Sequence, residues 1–449
     1  MTTNRSARRT PRRRTTSVHP AVLVAAIAFV ALLGAAAFRA APGVLIVPLQ
    51  DEFGWPRGVL SLAVGVNLVL FGLTAPFAAA LMDRFGIRRV VTAALVLVAL
   101  GNGLTVFVTA SWQLVLLWGL LVGFGTGSMA LVFAATVASR WFVERRGFVM
   151  GVLTAGSSMG QLVFLPILAW TSEAWGWRAA SLVVTAACLA VVPLVLLFLH
   201  DHPADRGVHP YGGADVTVQV EPAVRATGSA RRAVRVLREA AHRRTFWALA
   251  GGFAICGATT NGLIGTHFIP AAHDHGMGQT AAANLLALVG IFDLVGTLGS
   301  GYLTDRMDPR LLLAAYYGLR GVGLALLPVL LSDAVHPSML AFIVVYGLDW
   351  VATVPPTVAL CRQVFGADAT IVFGWVFASH QLGAAAAAVA AGVLRDQTGT
   401  YTSAWVGAAG MCVVAALVSV RIRGPRSPAD APVDPGSAPL AGQGVSGPP

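Results

Sequence analysis

The sequence predicts an all-α integral membrane protein with twelve transmembrane helices, arranged as two pseudo-symmetric six-helix bundles. Of its 449 residues, 56% are hydrophobic and only 11% are charged, and the mean hydropathy is +0.73. A soluble core of this size does not need so much apolar surface, so the composition places the chain in a bilayer. Two further observations support this class: a series of long apolar runs, and a repeat that divides the runs into two sets.

The apolar runs are about twenty or more residues long, which is the length that crosses a bilayer as a helix. They lie at 20–47, 58–81, 89–109, 112–138, 147–170, 177–199, 245–271, 281–303, 310–331, 337–362, 370–394 and 400–421. The predicted parts of the chain are a basic cytoplasmic tail at 1–19, a first bundle at 20–200, a cytoplasmic linker at 201–244, a second bundle at 245–422 and a disordered cytoplasmic tail at 423–449. A short amphipathic helix on the membrane surface is expected around 231–242.

The positions of the arginines predict the orientation. All 31 basic residues are arginine, and 26 of them fall in the tails, the linker and the loops on one side. The loops on the other side hold only Arg57, Arg178 and Arg395. This bias predicts a multi-pass protein of the cell (inner) membrane with both termini cytoplasmic. The N-terminal arginine cluster could also begin a secretory or twin-arginine signal, but the run at 20–47 is too long for the apolar core of a signal.

A polar loop with an Asp-Arg pair occurs once in each half. Asp83 and Arg84 follow the second apolar run, and Asp305 and Arg306 follow the eighth, 222 residues later. The loop resembles the signature loop of the major facilitator superfamily of transporters, and the resemblance covers most of the chain. It implies two bundles that give alternating access to a site near the bilayer midplane.

The same resemblance implies a gating role for six charged residues. They are Asp83, Arg84, Arg88, Arg140, Asp305 and Arg306. The aspartates of the two Asp-Arg pairs would cap a neighbouring helix end. The arginines of the pairs would tie the halves together when the cavity faces outward.

Four longer matches resemble the monocarboxylate and oxalate/formate branch of the superfamily. They lie at 48–57, 139–147, 266–276 and 377–383. The resemblance implies a small organic anion, a monocarboxylate, as the substrate and a proton as the coupling ion. The departures are Thr297, where monocarboxylate transporters have an arginine one turn after an aspartate, and Ala79 and Asp308, where the signature loops have glycine. Span eleven also has no lysine to match the oxalate/formate exchangers, which argues against oxalate itself.

Four charged residues lie inside the predicted spans: Arg39, Asp293, Arg320 and Asp349. A charge at the centre of a helix in lipid costs about 2.5–3.5 kcal/mol on insertion scales, so each needs a partner, water or a function. Arg39 would hold the substrate carboxylate, with a structural pairing as the alternative. Asp293 would contact substrate and carry the proton, or would pair with Arg39 or Arg320. Arg320 is expected to pair structurally, with Asp349 as the partner.

Three uncharged or titratable residues complete the predicted site. Asn67 and His267 are expected to line the cavity. His380 could contact substrate and exchange a proton near neutral pH, or it could be a buried neutral histidine. The double proline at 355–356 predicts a kink in span ten, so a hinge is the first expectation for Asp349 and ligand contact or proton exchange the second.

The predicted function is secondary active transport of a small organic anion, coupled to protons, without a cofactor or a metal. The four cysteines stand singly, without metal or disulfide spacing. The expected partners are the substrate, protons and the lipid bilayer, with no nucleic acid, and the protein is expected to be a monomer. One alternative within the same fold is proton-coupled drug efflux, with Asp293 and Asp349 as exchange sites. A membrane enzyme or sensor is a more distant alternative, because no nucleophile, metal cluster or phosphate-binding loop is recognisable.

Overall fold

The computed structural model describes residues 19–129, 131–213 and 229–422. Outside this range lie the predicted basic tail up to residue 18, residues 214–228 of the predicted linker and the predicted C-terminal tail. Within it, eleven helical stretches are long and apolar enough to cross a membrane. The longest stretch, Pro337–Thr398, turns at residues 366–368 and contains two spans that pack against different neighbours. The described residues therefore form twelve spans, as predicted.

The spans are numbered in chain order. The first six are α1 (Pro20–Phe53), α2 (Arg57–Phe85), α3 (Ile87–Thr105), α4 (Ser111–Trp141), α5 (Arg146–Trp175) and α6 (Trp177–Phe198). A linker helix, Ser229–Ala241, follows where a short amphipathic helix was expected. The second six are α7 (Arg244–Asp274), α8 (Gln279–Thr304), α9 (Pro309–Leu330), α10 (Pro337–Asp349 and Val354–Phe365), α11 (Ala369–Thr398) and α12 (Thr402–Val420).

The two halves repeat each other in their turns. Gly54 ends α1 with a φ of 65°, and Gly276, 222 residues later, follows α7 with a φ of 86°. Gly176 and Gly399 form a second pair, after α5 and α11, with φ of 82° and 75°. A side chain is strained at such positive φ, so glycine lets the chain reverse at these points. Equivalent turns at equivalent places are what two pseudo-symmetric bundles require.

The halves meet along three helix pairs: α1 with α7, α2 with α11, and α5 with α8. Glycines make the α2–α11 contact close. Gly58, Gly65 and Gly72 recur every seven residues and face α11, and a Cβ at Gly72 would lie only 2.6 Å from the Cβ of Gln381. Small residues in such a stripe let two helices approach closely in a membrane. This close contact with α2 determines which part of α11 faces the space between the halves.

The double proline at 355–356 breaks α10, as predicted, and residues 350–353 form a turn between its two segments. A break of this kind frees backbone groups that must find other partners in a membrane protein. Arg320 of α9 donates to the Asp349 carbonyl at 2.6 Å, and Ser300 of α8 donates to a second carbonyl of the break at 2.5 Å. Packing against α8 and α9 therefore stabilises the break.

The helix bundle has two ends, each named here by a charged residue. The Arg57 end is where the odd-numbered spans finish, and the Asp83 end is where the even-numbered spans finish. The linker helix lies at the Asp83 end. In the topology predicted from the arginines, the Asp83 end is cytoplasmic.

Candidate functional site

A cavity of about 180 Å³ lies between the two halves, midway along the spans. A second, smaller cavity adjoins it. Four residues line both: Arg39, Gln161, Asn261 and Gln381. The first two come from the first half and the last two from the second half. The two cavities together form the central site, with these four polar side chains where they meet.

Arg39 projects into the central site from α1. It is the one exposed residue between Ile27 and Gln50, in a stretch of α1 that is otherwise buried or half-buried. Its exposure comes from the cavity, because Arg39 lines both parts of the central site. The guanidinium carbon lies 5.4 Å from the centre of the Phe71 ring, a cation–π contact that holds the side chain across from α2. A guanidinium in this position can bind a carboxylate through two parallel hydrogen bonds.

Asp293 lines the same cavity from the middle of α8. It is 5% exposed. Its Oδ1 accepts hydrogen bonds from the Thr297 hydroxyl and from the Val351 amide, both at 3.1 Å. Thr297 is the residue that replaces the arginine of the monocarboxylate transporters. Asp293 is thus anchored to the break in α10, and its carboxyl group faces the same space as Arg39.

Arg320 and Asp349 form an ion pair inside the second half, as expected from the sequence. The Arg320 Nε donates to Asp349 Oδ2 at 2.6 Å, and the two side chains are 0% and 2% exposed. Neither residue lines the central site. Arg320 also binds the backbone of the α10 break. The geometry therefore favours the hinge interpretation of Asp349 over ligand contact.

His380 lies in α11 and lines the larger cavity. Its ring is stacked on Phe377, with centres 5.8 Å apart and an interplanar angle of 7°, and it also contacts Phe253. Its Nδ1 is buried and has no hydrogen-bond partner in the described part of the chain. A Cβ at Gly257 would lie 1.8 Å from the His380 carbonyl oxygen, so α7 presses against α11 here. His380 therefore contributes to the cavity wall, while its Nδ1 is enclosed by protein.

Asn67 and His267 differ in position. Asn67 of α2 lines the smaller cavity, and its Nδ2 donates to the Trp118 carbonyl at 2.8 Å. His267 of α7 is fully buried and lines neither cavity. Its Nδ1 lies 3.1 Å from the Tyr401 hydroxyl and its Nε2 lies 2.8 Å from the Ala388 carbonyl. The structure therefore brings Asn67 to the site but leaves His267 in the packing between α7, α11 and α12.

Sequence reasoning found Asn67 but missed the other three amide side chains of the central site. Gln161, Asn261 and Gln381 are uncharged, and a search for charges inside apolar runs passes over them. Asn261 lies in a π-helical segment of α7, Ala258–Ile264, and π-bulges are frequent at functional sites. The sequence signal for these three residues was an Asn or Gln side chain in the middle of a predicted transmembrane span.

The first Asp-Arg loop makes its contacts inside the first half. Asp83 forms an ion pair with Arg140 of α4. The backbone amide of Arg88 donates to the Asp201 carboxylate at 2.9 Å. Asp201 therefore caps the start of α3, whereas Asp83, which the resemblance implied would cap a helix end, binds an arginine side chain in this structure.

The second Asp-Arg loop behaves in the same way. The guanidinium carbon of Arg306 lies 3.6 Å from the centre of the Tyr302 ring, and its Nη1 donates to the Tyr302 carbonyl at 3.2 Å. Arg84 of the first loop similarly lies over Phe85. Neither arginine reaches the opposite half through these contacts. The gating role of the two loops, including Asp305, stays a prediction.

At the Arg57 end, by contrast, charged side chains join the two halves. Arg57 of α2 donates from both terminal nitrogens to the two carboxylate oxygens of Asp274 in α7, at 2.7 Å each. It also donates to Gln50 at 2.7 Å and to the Tyr401 hydroxyl at 3.1 Å. Arg395 of α11 donates to the same carboxylate at 2.8 Å. From the sequence, Arg57 and Arg395 were used only to predict the topology.

Two carboxylates at this end cap helices of the opposite half. Asp396 of α11 accepts from the amides of Arg57 and Gly58 at 3.0 and 2.7 Å, at the start of α2. Glu173 of α5 accepts from the amide and the hydroxyl of Thr280 at 2.9 and 2.6 Å, at the start of α8. Glu173 and Asp396 are 223 residues apart, so they are equivalents in the repeat. That spacing was the sequence signal for this pair.

A family model described as Major Facilitator Superfamily matches residues 25–365 and 254–447 of the chain. The chain belongs to the Major Facilitator Superfamily. Monocarboxylate transporter 13 of Bos taurus is 30% identical over 376 residues, which cover 81% of this chain and 80% of that protein. Monocarboxylate transporter 11 of Homo sapiens is 29% identical, covering 74% and 68%. An uncharacterized MFS-type transporter of Bacillus subtilis, YcxA, is 25% identical, covering 83% and 88%. These relatives confirm the monocarboxylate branch that the motifs predicted.

Solved structures confirm the major facilitator fold. A bacterial homolog of the human lysosomal transporter Spinster, inward-facing and occupied, matches with a TM-score of 0.64 at 14% identity, covering 90% of this chain and 94% of that one. Its inward-facing, unoccupied structure matches with a TM-score of 0.66 at 15% identity, covering 91% and 96%. The fold and the relatives are those of transporters rather than enzymes, so this facilitator is a multi-pass membrane transporter.

Proposed function

We propose that this facilitator is a secondary active transporter of a small organic monocarboxylate, coupled to protons, and that it works by alternating access. The observation that carries the proposal is that Arg39, Asp293 and His380 line one cavity between the halves. Arg39 and Asp293 are the only arginine and the only carboxylate among the described residues that line the central site. One guanidinium matches one carboxylate group on the substrate.

The proton would travel on a group that faces the substrate. Asp293 is the first candidate, because its carboxyl group is nearly buried and can lose or gain a proton as the substrate charge enters or leaves. His380 is the second candidate, because one of its ring nitrogens has no partner in the described part of the chain. Asp349 is a weaker candidate, since its Oδ2 is held by Arg320.

The contacts at the two ends support alternating access. The Arg57 end is closed by hydrogen bonds between the halves, so substrate in the central site would leave this state toward the Asp83 end. In the predicted topology that end faces the cytoplasm, with both termini, and the protein resides in the cell membrane as a monomer.

The test is uptake of a labelled monocarboxylate panel into proteoliposomes, with and without an inward proton gradient. We expect saturable uptake driven by the gradient. Arg39→Gln should lower it at least about tenfold, since a hydrogen bond to a charged group contributes about 1.5–3 kcal/mol. Arg178→Gln is the matched control, because Arg178 is exposed at the Arg57 end and should leave uptake unchanged. Asp293→Asn should uncouple uptake from the gradient.

If no carboxylate is taken up, or if Arg39→Gln transports like the wild type, the monocarboxylate proposal is wrong. The second candidate is then proton-coupled drug efflux, which the aromatic lining of the central site also favours. In that case Asp293 would pair with a cationic substrate, and cationic dyes should move where carboxylates do not.

A further inference from the structure

The linker helix, Ser229–Ala241, packs against the spans with its apolar face. Val236 and Ala240 are each 3% exposed and belong to one cluster of buried apolar residues with the start of α11. The Nε1 of Trp375, in the second turn of α11, donates to the Ala233 carbonyl at 3.0 Å. An amphipathic helix on a membrane surface normally buries its apolar face in lipid. In this protein the apolar face is covered by α11 instead.

The opposite face of the linker helix carries basic side chains. Arg231, Arg235, Arg238 and His242 follow one another at spacings of four, three and four residues, which places them along one side of a helix. At 3.6 residues per turn, this side is nearly opposite the face that packs against α11. All four residues are exposed. They are called the basic stripe here.

The basic stripe has little counter-charge on the protein. Residues 229–244 contain six arginines and one glutamate. That glutamate, Glu239, lies 4.0 Å from Arg235, and both side chains are more than half exposed, so the pair contributes little. No carboxylate among the described residues pairs with Arg231 or Arg238. A negatively charged partner would therefore find most of this charge uncompensated.

The linker helix lies at the depth of the lipid headgroups. α11 has 30 residues, and at about 1.5 Å per residue it is about 45 Å long, the thickness of a bilayer with its headgroups. Trp375 is about 9 Å along α11, so it holds Ala233 near the headgroup layer. The other end of the linker helix is two residues from the start of α7, and the Nε1 of Trp247 in α7 donates to the Ala241 carbonyl at 2.9 Å. Both ends are therefore held where spans enter the bilayer.

We propose that the basic stripe is a docking surface for anionic phospholipid headgroups in the leaflet at the Asp83 end. Lipid phosphates accept charge-assisted hydrogen bonds from the guanidinium groups. Basic residues beside a span attract anionic lipid by about fivefold in affinity per arginine. Because its apolar face is covered by α11, the linker helix selects lipids by the charge of their headgroups. Headgroup depth favours lipid over an acidic peptide as the partner.

The test is fluorescence quenching by brominated lipids, with the full-length protein in nanodiscs. The fluorophore is attached at Val234→Cys, because Val234 is 53% exposed beside the stripe and the four native cysteines are buried. Brominated phosphatidylglycerol should bind near the label about 10–100 times more tightly than brominated phosphatidylcholine, as expected for three arginines. Raising the salt from about 0.1 M to about 1 M should reduce this ratio, since exposed charges are screened.

Substitutions then assign the preference to the stripe. The triple variant removes the three arginines of the stripe, and its affinity ratio should fall to within about twofold of one: Arg231→Gln, Arg235→Gln and Arg238→Gln. The matched control removes three exposed arginines of the same end outside the linker helix, and its ratio should equal that of the wild type: Arg89→Gln, Arg145→Gln and Arg421→Gln. Both variants lose the same net charge, and Arg235→Gln alone should lower the ratio about fivefold.

Three outcomes would overturn the proposal. Equal quenching by the two lipids in the wild type would mean ordinary lipid contact without selection. A preference that persists in the triple variant would place the lipid elsewhere. A poly-glutamate peptide that binds the stripe and is not displaced by phosphatidylglycerol would make an acidic peptide the partner. None of these outcomes affects the proposed function, which is tested separately through Arg39→Gln.

Discussion

The two ends of the helix bundle differ in where their charged side chains find partners. At the Arg57 end, Arg57 and Asp274 join the halves through a bidentate ion pair, and two carboxylates cap helices of the opposite half. At the Asp83 end, Asp83 binds Arg140 in its own half and Arg306 binds its own loop. Ion pairs and hydrogen bonds between the halves hold the Arg57 end closed, whereas the Asp83–Arg140 and Arg306 contacts at the other end do not join the halves.

This difference indicates how a two-bundle transporter can change which end is open without changing the packing inside each bundle. Opening the Arg57 end requires these hydrogen bonds to break and the packing of Gly58 against α11 to separate, while each six-helix bundle keeps its own packing. The two caps are repeat equivalents, so neither half bears the closure alone. We therefore expect substitutions at the Arg57 end to change the balance between open and closed states, and substitutions at the Asp83 end to change stability locally.

The largest effect is expected from Arg57→Gln. Arg57 is 4% exposed, and its removal leaves Asp274 with Arg395 as its remaining partner. Breaking a buried ion pair costs about 3–5 kcal/mol, and we expect about 2 kcal/mol here because one partner stays paired. The change corresponds to a roughly 30-fold shift toward the open Arg57 end. The measurement is the distance between spin labels at Thr109→Cys and Ala334→Cys, two exposed positions in loops of opposite halves.

The control for this prediction is Arg178→Gln with the same labels. Arg178 pairs with Glu52 at the same end, but the pair lies within the first half and its side chains are 46% and 37% exposed. The label distances should match those of the wild type. If both variants open the Arg57 end equally, the ion pair between the halves is not what keeps it closed.

An intermediate effect is expected from the two caps. Glu173→Gln and Asp396→Asn each replace one of two accepting carboxylate oxygens with an amide NH2 group, and each should weaken the closed state by about 1 kcal/mol, the net contribution of one hydrogen bond. The double variant should have roughly the sum of the two effects, because the two sites are far apart and share no partner. The same label distances measure this. Glu52→Gln, at the repeat equivalent of Asp274, is the control, and a double variant no more open than either single one would contradict the prediction.

The smallest effect is expected at the Asp83 end, from Asp308→Asn. Asp308 stands where the signature loop has glycine, and it caps α9 by accepting from the Arg310 amide at 2.9 Å. The Arg310 side chain, which donates to both carboxylate oxygens at 2.9 and 2.5 Å, holds the pKa of Asp308 below its usual range. Because asparagine also caps helices, the variant removes only the charge, at about 0.5 kcal/mol for a pair this exposed.

The sign of the pH dependence follows from the lowered pKa. The contribution of Asp308 is present above the carboxyl pKa of the unfolded chain and is lost as the pH falls through the lower pKa of the folded state. The melting temperature of the wild type should therefore exceed that of Asp308→Asn near neutral pH, and the difference should vanish in acid. The label distances should not change. A difference that grows on acidification would contradict the assigned ion pair.

Some of the central site could be read from the sequence and some could not. Arg39 and Asp293 were found because a charge inside an apolar run is costly and therefore conspicuous. The pairing of Arg320 with Asp349 was also expected. Gln381 was missed because an amide carries no charge, and His267 was placed in the cavity although both of its ring nitrogens face protein atoms.

The sequence by itself determined the twelve spans, the division into halves and the family, because a bilayer demands long apolar runs and a repeated fold leaves repeated turns and loops. Apart from the expected pair of Arg320 and Asp349, only the tertiary structure decided which polar side chains meet. Arg57 and Asp274 are 217 residues apart and look like separate loop residues until α2 and α7 lie side by side. Hydrogen bonds act over about 3 Å, so partners this distant in sequence are chosen by helix packing and not by local pattern.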